Sequence, residues 1–320
     1  MGKKKEVRAG RLGIGGENRI SIQSMTNTDT RDTLATLEQI KALAAAGCDL
    51  VRLSVYDRAC AAAVRTLADQ SPVPLCADIH FDHRLAIQAM ENGIQKLRIN
   101  PGNIGSVEKV RQVADCAKAH HIPIRIGVNS GSLEKDILDK EGGVTAKGMV
   151  ESALRHIRML EEAHFDDIVI SLKASSVPLT VAAYRLMDQK CGYPLHLGVT
   201  EAGLPGQGTV KSAIGIGALL LDGIGDTVRV SLTGDPIHEP EAALSILRAL
   251  NLRQGIEFIS CPTCGRTQID VAGIARRLTD EFDRVQTPVT VAVMGCVVNG
   301  PGEARGADIA LCGGKDCGAL

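Results

Sequence analysis

Between residues 20 and 250 the sequence alternates short β-branched runs with longer stretches of helical period, and no other feature limits the fold as strongly. The runs at 20–24 (Ile-Ser-Ile-Gln-Ser), 50–54 (Leu-Val-Arg-Leu-Ser), 74–78, 95–99, 123–127, 167–171, 195–199 and 226–230 predict eight strands. Helices are expected at 33–46, 57–69, 82–92, 106–120, 145–163, 177–190, 209–221 and 239–250. Asp32, Ser106 and Thr145 open several of them as capping residues, and Gly47, Gly93 and Gly192 stand where several stop. Eight parallel strands, each followed by a helix, close most economically into an α/β (β/α)8 barrel of the TIM type, which takes about 250 residues. An open doubly wound sheet would use the same units. Ahead of the first strand, the glycines at 10, 13, 15 and 16 read as a turn-rich lead-in. After residue 250 the rhythm changes: a strand at 256–260, a helix at 268–283 and strands at 289–294 and 308–312 predict a small α+β unit. The expected domains are therefore 1–250, a substrate-binding barrel, and 251–320.

Barrels place their chemistry where strands finish, and here those points are polar in every strand. They carry Gln23 and Ser24, Arg52 and Ser54, Asp78 and His80, Arg98 and Asn100, Arg125 and Asn129, Ser171 and Lys173, Thr200 and Glu201, and Arg229 and Ser231. An isolated arginine on a strand is as often a rim or ion-pair residue as a ligand. Four arginines and a lysine at one mouth are better explained by a phosphorylated substrate, because guanidinium forks match phosphate oxygens. The chain as a whole carries 36 Lys and Arg against 37 Asp and Glu, a net charge of -1, so the anion site is local. Lys173 also admits a Schiff-base reading, that of a zinc-containing barrel lyase or aldolase. Glu201, a carboxylate among cations, is placed to carry a proton, whereas His80 taken alone reads first as a hydrogen-bonded structural residue.

With 2% aromatic residues and no Trp, the chain lacks the rings of a base-stacking surface, so no nucleic-acid partner is expected. No run approaches the roughly 20 apolar residues of a membrane span, and Lys3, Lys4 and Lys5 are followed by no apolar stretch, so neither membrane insertion nor a signal peptide is expected. Ten cysteines are too sparse for a disulfide scaffold and point to a reducing, cytoplasmic setting. Cys261-Pro-Thr-Cys264 and the later Cys296 offer a close pair plus a distant thiol, a spacing that favours an iron–sulfur site over structural zinc, whose second close pair is missing. Cys48, Cys60, Cys76, Cys116 and Cys191 show no pairing pattern and read as buried small side chains. On spacing alone, Cys312 and Cys317 remain open as a fourth thiolate. A non-catalytic iron–sulfur carrier would share these cysteines but would need no polar ring in the barrel.

Taken in order, Ile22-Gln-Ser-Met-Thr-Asn-Thr28, Ala77-Asp-Ile-His80, Leu97-Arg-Ile-Asn-Pro-Gly102, Arg125-Ile-Gly-Val-Asn129, Ser171-Leu-Lys173, Val199-Thr-Glu201, Ile259-Ser-Cys-Pro-Thr-Cys-Gly-Arg266 and Met294-Gly-Cys-Val-Val-Asn-Gly-Pro-Gly-Glu303 resemble the bacterial 4-hydroxy-3-methylbut-2-en-1-yl diphosphate synthases. The resemblance spans about residues 20 to 310. It implies reductive ring opening and dehydration of 2-C-methyl-D-erythritol 2,4-cyclodiphosphate in the methylerythritol phosphate route to isoprenoids. It further implies a 4Fe-4S cluster on Cys261, Cys264, Cys296 and Glu303, with ferredoxin or flavodoxin as electron donor. By the same resemblance Arg52, Arg98, Arg125, Lys173, Arg229 and Ser231 hold the diphosphate, with Asn100, Asn129 and His80 around it. Glu201 moves a proton, and Asn299 meets substrate from the cluster side. Such proteins usually continue for some tens of residues past the Gly-Gly-Lys segment, so a cluster domain ending at Leu320 is expected to be short at its C-terminus.

Chain direction adds one expectation. Each barrel helix runs back from the catalytic face, so the chain leaves the eighth helix at the opposite face, and a linker of about ten residues reaches at most roughly 35 Å. A homodimer with sites shared between subunits follows from this and is also what the resemblance implies.

Overall fold

The computed structural model describes residues 4–282, 285, 287–314 and 318–319. It divides into two compact units, Met1–Ile246 and Leu247–Leu320. In the first, strands β3 (Ser21–Met25), β4 (Leu50–Ser54), β5 (Leu75–Asp78), β6 (Lys96–Ile99), β7 (Ile124–Asn129), β8 (Ile168–Lys173), β9 (His196–Leu197) and β10 (Thr227–Val228) form one parallel sheet in the order β8-β7-β6-β5-β4-β3-β10-β9. A parallel bridge between Ile170 and Leu195 brings the two ends together, so the sheet closes as a barrel rather than opening as a doubly wound sheet. β9 and β10 are shorter than the five-residue runs expected there. Pairing nonetheless continues past them, with the Arg229 N–H donating to Leu197 O at 3.0 Å.

The helices between these strands follow from capping and stripe. α1 (Thr33–Ala45) starts at Asp32, whose carboxylate accepts the Ala35 N–H, and α2 (Arg58–Gln70) starts at Asp57, which does the same for Cys60. α2 buries Cys60, Ala61, Val64 and Leu67, one face of a 3.6-residue period. The same logic builds α3 (His83–Glu91), α5 (Val107–Ala119), α7 (Ala146–Glu162) and α8 (Val177–Asp188), capped by Asp82, Ser106, Thr145 and Ser176, while α9 (Gln207–Leu221) starts at Gly206 without a side-chain cap and α10 (His238–Ala249) completes the set. Two short helices add to the expected set, α4 (Pro101–Ile104) and α6 (Lys135–Glu141). Along the strands a period of two sends Leu97 and Ile99 outward into the helix layer while Lys96 and Arg98 point to the barrel axis.

The lead-in is more than turns. Val7–Ala9 (β1) and Leu12–Ile14 (β2) pair antiparallel, and Val7, Ala9 and Ile14 pack with Leu50, Cys76 and Val169 into one buried apolar cluster. Glycine spacing signals the turns, but three-residue strands are too short to carry a period. Only packing under the barrel reveals that the hairpin plugs its floor.

The second unit holds a four-stranded sheet in the order β11 (Ile256–Ser260), β12 (Val289–Met294), β13 (Ile309–Gly313), β14 (Gly318–Ala319), parallel except for β14. α11 spans Val271–Phe282, starting later than the expected 268. The reason is local: Thr267 N–H donates to Cys264 O and Gln268 N–H to Gly295 O, so the residues before Asp270 are committed to a loop between the cysteine segments. A short helix, α12 (Gly300–Glu303), follows β12.

Candidate functional site

TIM-type interiors are normally filled by layers of branched apolar side chains, and here only the floor is. Around and above Leu50, Cys76 and Val169 the inward positions turn polar, and most of the large ones are charged. Parallel register sets Cys76 beside Arg52 and Lys96, Arg98 beside Asp78 and Arg125, and Asn129 beside Lys173. Asp78 Oδ1 accepts Arg98 Nη1 at 3.0 Å, and its Oδ2 lies 3.7 Å from Arg52 Nε and 3.6 Å from His80 Nε2. Burial would raise that carboxyl, but Arg52, His80 and Arg98 outweigh it and hold it well below the usual carboxylate range. Arg52 also rests on Met25 Sδ, at 2.8 Å from Nη2. Arg229 pairs with Glu239 at 3.2 Å, and Glu239 further accepts the Ser24 hydroxyl at 2.7 Å.

Arg125 and Lys173 stand apart from these pairs. Arg125 is 1% exposed, bonded through Nη1 to Ser171 Oγ at 3.0 Å, with Nε and Nη2 finding no partner among the described residues. Burial and then Arg52 press its guanidinium downward, yet an arginine keeps its charge under such pressure. Lys173 Nζ lies 3.2 Å from His196 Nε2, and burial, then Arg125 and Arg229, push its ammonium well below the ordinary lysine range. Glycines make the crowding possible: a Cβ on Gly127 would stand 2.6 Å from Arg98 Nε, and one on Gly198 would stand 2.8 Å from Lys173 Nζ. A cluster of cations with donors left over is what a polyanion completes.

The other expected residues sit on this rim in different ways. His80 is half exposed beside Asp78. Asn100 is buried and spends its side-chain oxygen on the Gly102 N–H, at 3.1 Å, as the cap of α4. Asn129 ends β7 and accepts the Ser132 hydroxyl at its backbone oxygen. Ser231 is half-buried just past β10. Glu201 is exposed and holds φ at 53°. Three of the four other non-glycine residues with positive φ, His121, His164 and Asn251, lie just past the ends of α5, α7 and α10, where such geometry closes helices. Glu201 has no helix to close, and backbone strain of that kind concentrates at functional sites.

Lys96, His196 and Glu239 escape the sequence reading. Period-two alternation with Arg98 would have placed Lys96 in the interior. Nothing in the sequence ties Glu239, in the first turn of α10, to Arg229 ten residues earlier.

In the second unit Cys261 Sγ accepts the Gly295 N–H at 3.1 Å, and a Cβ on Gly295 would sit at that same distance from the sulfur. Between Cys261 and Cys264, Thr263 takes φ of 45°, the remaining positive value and an unusual one for a β-branched residue. The Arg266 backbone N–H and side chain hold the Cys264 thiol below its ordinary range. The N–H groups of Asn299 and Val298, with Arg266 beyond them, do the same for Cys296, against the repulsion of Cys264. Three sulfurs supported by amide donors and a guanidinium are a donor set of the kind a metal–sulfur cofactor uses. Among the described residues no three His, Cys, Asp or Glu side chains stand close enough to share one metal ion. Thiolates on different irons of a cluster stand further apart than thiolates on one zinc. Glu303 ends α12, exposed, its N–H donating to Asn299 O at 3.0 Å. Cys312 packs in the core with Ala292, Met294 and Ala304, and Cys317 lies outside the described residues.

Solved structures similar to this chain share its fold. A sialic acid synthetase from Leptospira borgpetersenii aligns with a TM-score of 0.56 at 14% identity, covering 78% of this chain and 89% of that one. Dihydropteroate synthase from Stenotrophomonas maltophilia gives 0.56 at 13%, covering 77% and 97%. Among curated relatives, the 4-hydroxy-3-methylbut-2-en-1-yl diphosphate synthase (flavodoxin) of Ruminiclostridium cellulolyticum is 58% identical over 97% of this chain and 88% of its own length. Its namesake in Geobacter sulfurreducens is 57% identical over 99% and 90%. No helix among the described residues is long and apolar enough to cross a membrane. The GcpE TIM-barrel domain matches residues 4–244 and the GcpE protein C-terminal domain residues 257–320, so the chain belongs to the GcpE family, that of the 4-hydroxy-3-methylbut-2-en-1-yl diphosphate synthases.

Proposed function

We propose that this chain performs the reaction of its family by binding 2-C-methyl-D-erythritol 2,4-cyclodiphosphate on the cations of the barrel and reducing it with a 4Fe-4S cluster carried by the second unit. The observation that carries the reading is Arg125, a fully buried guanidinium with two nitrogens lacking partners among the described residues, inside a ring of further cations. Arg52, Arg98, Arg125, Lys173 and Arg229 take the diphosphate oxygens, and Ser231, Asn100, Asn129 and His80 orient it. Asp78 and Glu239 keep three of those arginines aimed, because each is held from a second side. Glu201 carries the proton that lets the departing hydroxyl leave as water. Cys261, Cys264, Cys296 and Glu303 would hold the cluster, with Asn299 beside it. When bound, the cluster supplies two electrons one at a time and a Lewis-acidic iron at its carboxylate-ligated corner. The relatives' names specify flavodoxin, and we take it, with ferredoxin as the alternative donor, to reduce this chain.

Anaerobically purified protein is expected to hold about four iron and four sulfide per chain, and Cys264→Ser protein to lose them. Stoichiometric zinc without sulfide would overturn the cluster and move the lyase reading on Lys173 to the front. The shared-site homodimer rests on chain direction and is tested by complementation. A mixture of Glu201→Gln and Cys296→Ser chains should regain one working site per heterodimer, and no recovery in a mixture shown to exchange subunits would count against it.

A further inference from the structure

Lys96 opens β6 and points to the barrel axis with Arg98, two residues on. It is fully buried, and its Nζ has no hydrogen-bond partner among the described residues. The groups that face it are Cys76 of β5, its register neighbour, Arg52 of β4, Arg125 of β7 and His196 of β9, with Lys173 of β8 on the far side of His196; Asp78 and Arg98 lie higher up. The carboxylate of that set is already committed to Arg98 and Arg52. An ammonium placed there loses its hydration, meets cations and finds no acceptor. Lys173 differs, since the His196 ring nitrogen lies within hydrogen-bond reach. Burial, then Arg125 and Arg52, outweigh the Cys76 thiol and push Lys96 down to about 7.

We propose that Lys96 is a charge-adjusting positioning residue of the anion site, standing without its proton in the empty barrel on the alkaline side of neutrality and taking one up when a diphosphate enters above it. The proton passes from solvent to Nζ, converting the amine to the ammonium, and no other bond changes. The arriving anion reverses the local potential that kept the proton away. The empty barrel thereby avoids one further buried charge, and the filled one gains it beneath Arg125. The inference rests on the barrel interior being the diphosphate site.

The test is calorimetric titration of the anaerobic holoenzyme, without electron donor, with 2-C-methyl-D-erythritol 2,4-cyclodiphosphate in two non-phosphate buffers of different ionisation enthalpy. Each phosphorus of this ligand carries a single, fully ionised oxygen, so the ligand itself exchanges no proton near neutrality. At pH 8 the buffer dependence should report uptake of about one proton per site, shrinking toward zero at pH 6, where Lys96 is already charged. Lys96→Met should bind more weakly and show no uptake. Without ligand, the same variant should melt higher than the parent below about pH 7, because the folded group sits below its ordinary 10.5 and the penalty is complete only where both states are protonated. That advantage should fade as the pH rises toward 10.5. Failure of the cyclodiphosphate to bind at equilibrium, checked by dialysis alongside the calorimetry, would sink the diphosphate site itself. Binding with no buffer dependence, or uptake that survives Lys96→Met, would overturn this inference alone.

Discussion

Arg125→Met will bind the cyclodiphosphate about thirty-fold to a few thousand-fold more weakly, and yet melt higher than the parent. The loss follows from truncating one partner of a desolvated charge pair, about 2–5 kcal/mol. The gain follows from the empty site. Arg125 is 1% exposed, has Ser171 as its hydrogen-bond acceptor and, among the described residues, leaves two nitrogens unsatisfied. Replacing such a group with an apolar side chain of similar length is worth up to about 4 kcal/mol. Opposite signs on stability and affinity separate a ligand-binding arginine from a structural one, whose removal lowers stability and leaves affinity in place. Thermal melts without substrate, paired with equilibrium binding, decide it: a variant that melts lower and binds normally would return Arg125 to a structural role.

Glu201→Gln will lower kcat by about 10²–10⁴ and leave KM within a few-fold of the parent. The amide keeps the shape and the hydrogen-bonding reach of the carboxylate but has no proton to exchange. Glu201 is exposed beyond β9, so its substitution removes no packing. Its φ of 53° is retained by glutamine, so the variant isolates protonation from backbone geometry. A large rise in KM with kcat preserved would make Glu201 a binding residue, and unchanged kinetics would remove it from the mechanism.

Much of the architecture is readable in the residues because both periods are locally encoded. The run 50–54 becomes β4 over Leu50–Ser54, and the helix expected at 145–163 becomes Ala146–Glu162 behind its Thr145 cap. Positions near the strand ends identify Arg52, Arg98, Lys173 and Arg229 for the same reason, since alternation along a strand also fixes which side chains face the axis. Helix α11 starts late because the Cys264–Gln268 segment bonds to itself and to Gly295, contacts between segments that no local window contains.

The sequence by itself determined the βα rhythm, the cationic mouth and the cysteine set, all of which are properties of neighbours along the chain. Tertiary structure alone decided that the first residues form a hairpin plugging the floor, that Glu239 holds Arg229, and that Lys96 and His196 join the interior. Those facts are relations between residues far apart in the chain, set by which strands become adjacent when the barrel closes. The charge state of a buried lysine is likewise no property of lysine, because it depends on which other cations the closed sheet brings to the same axis.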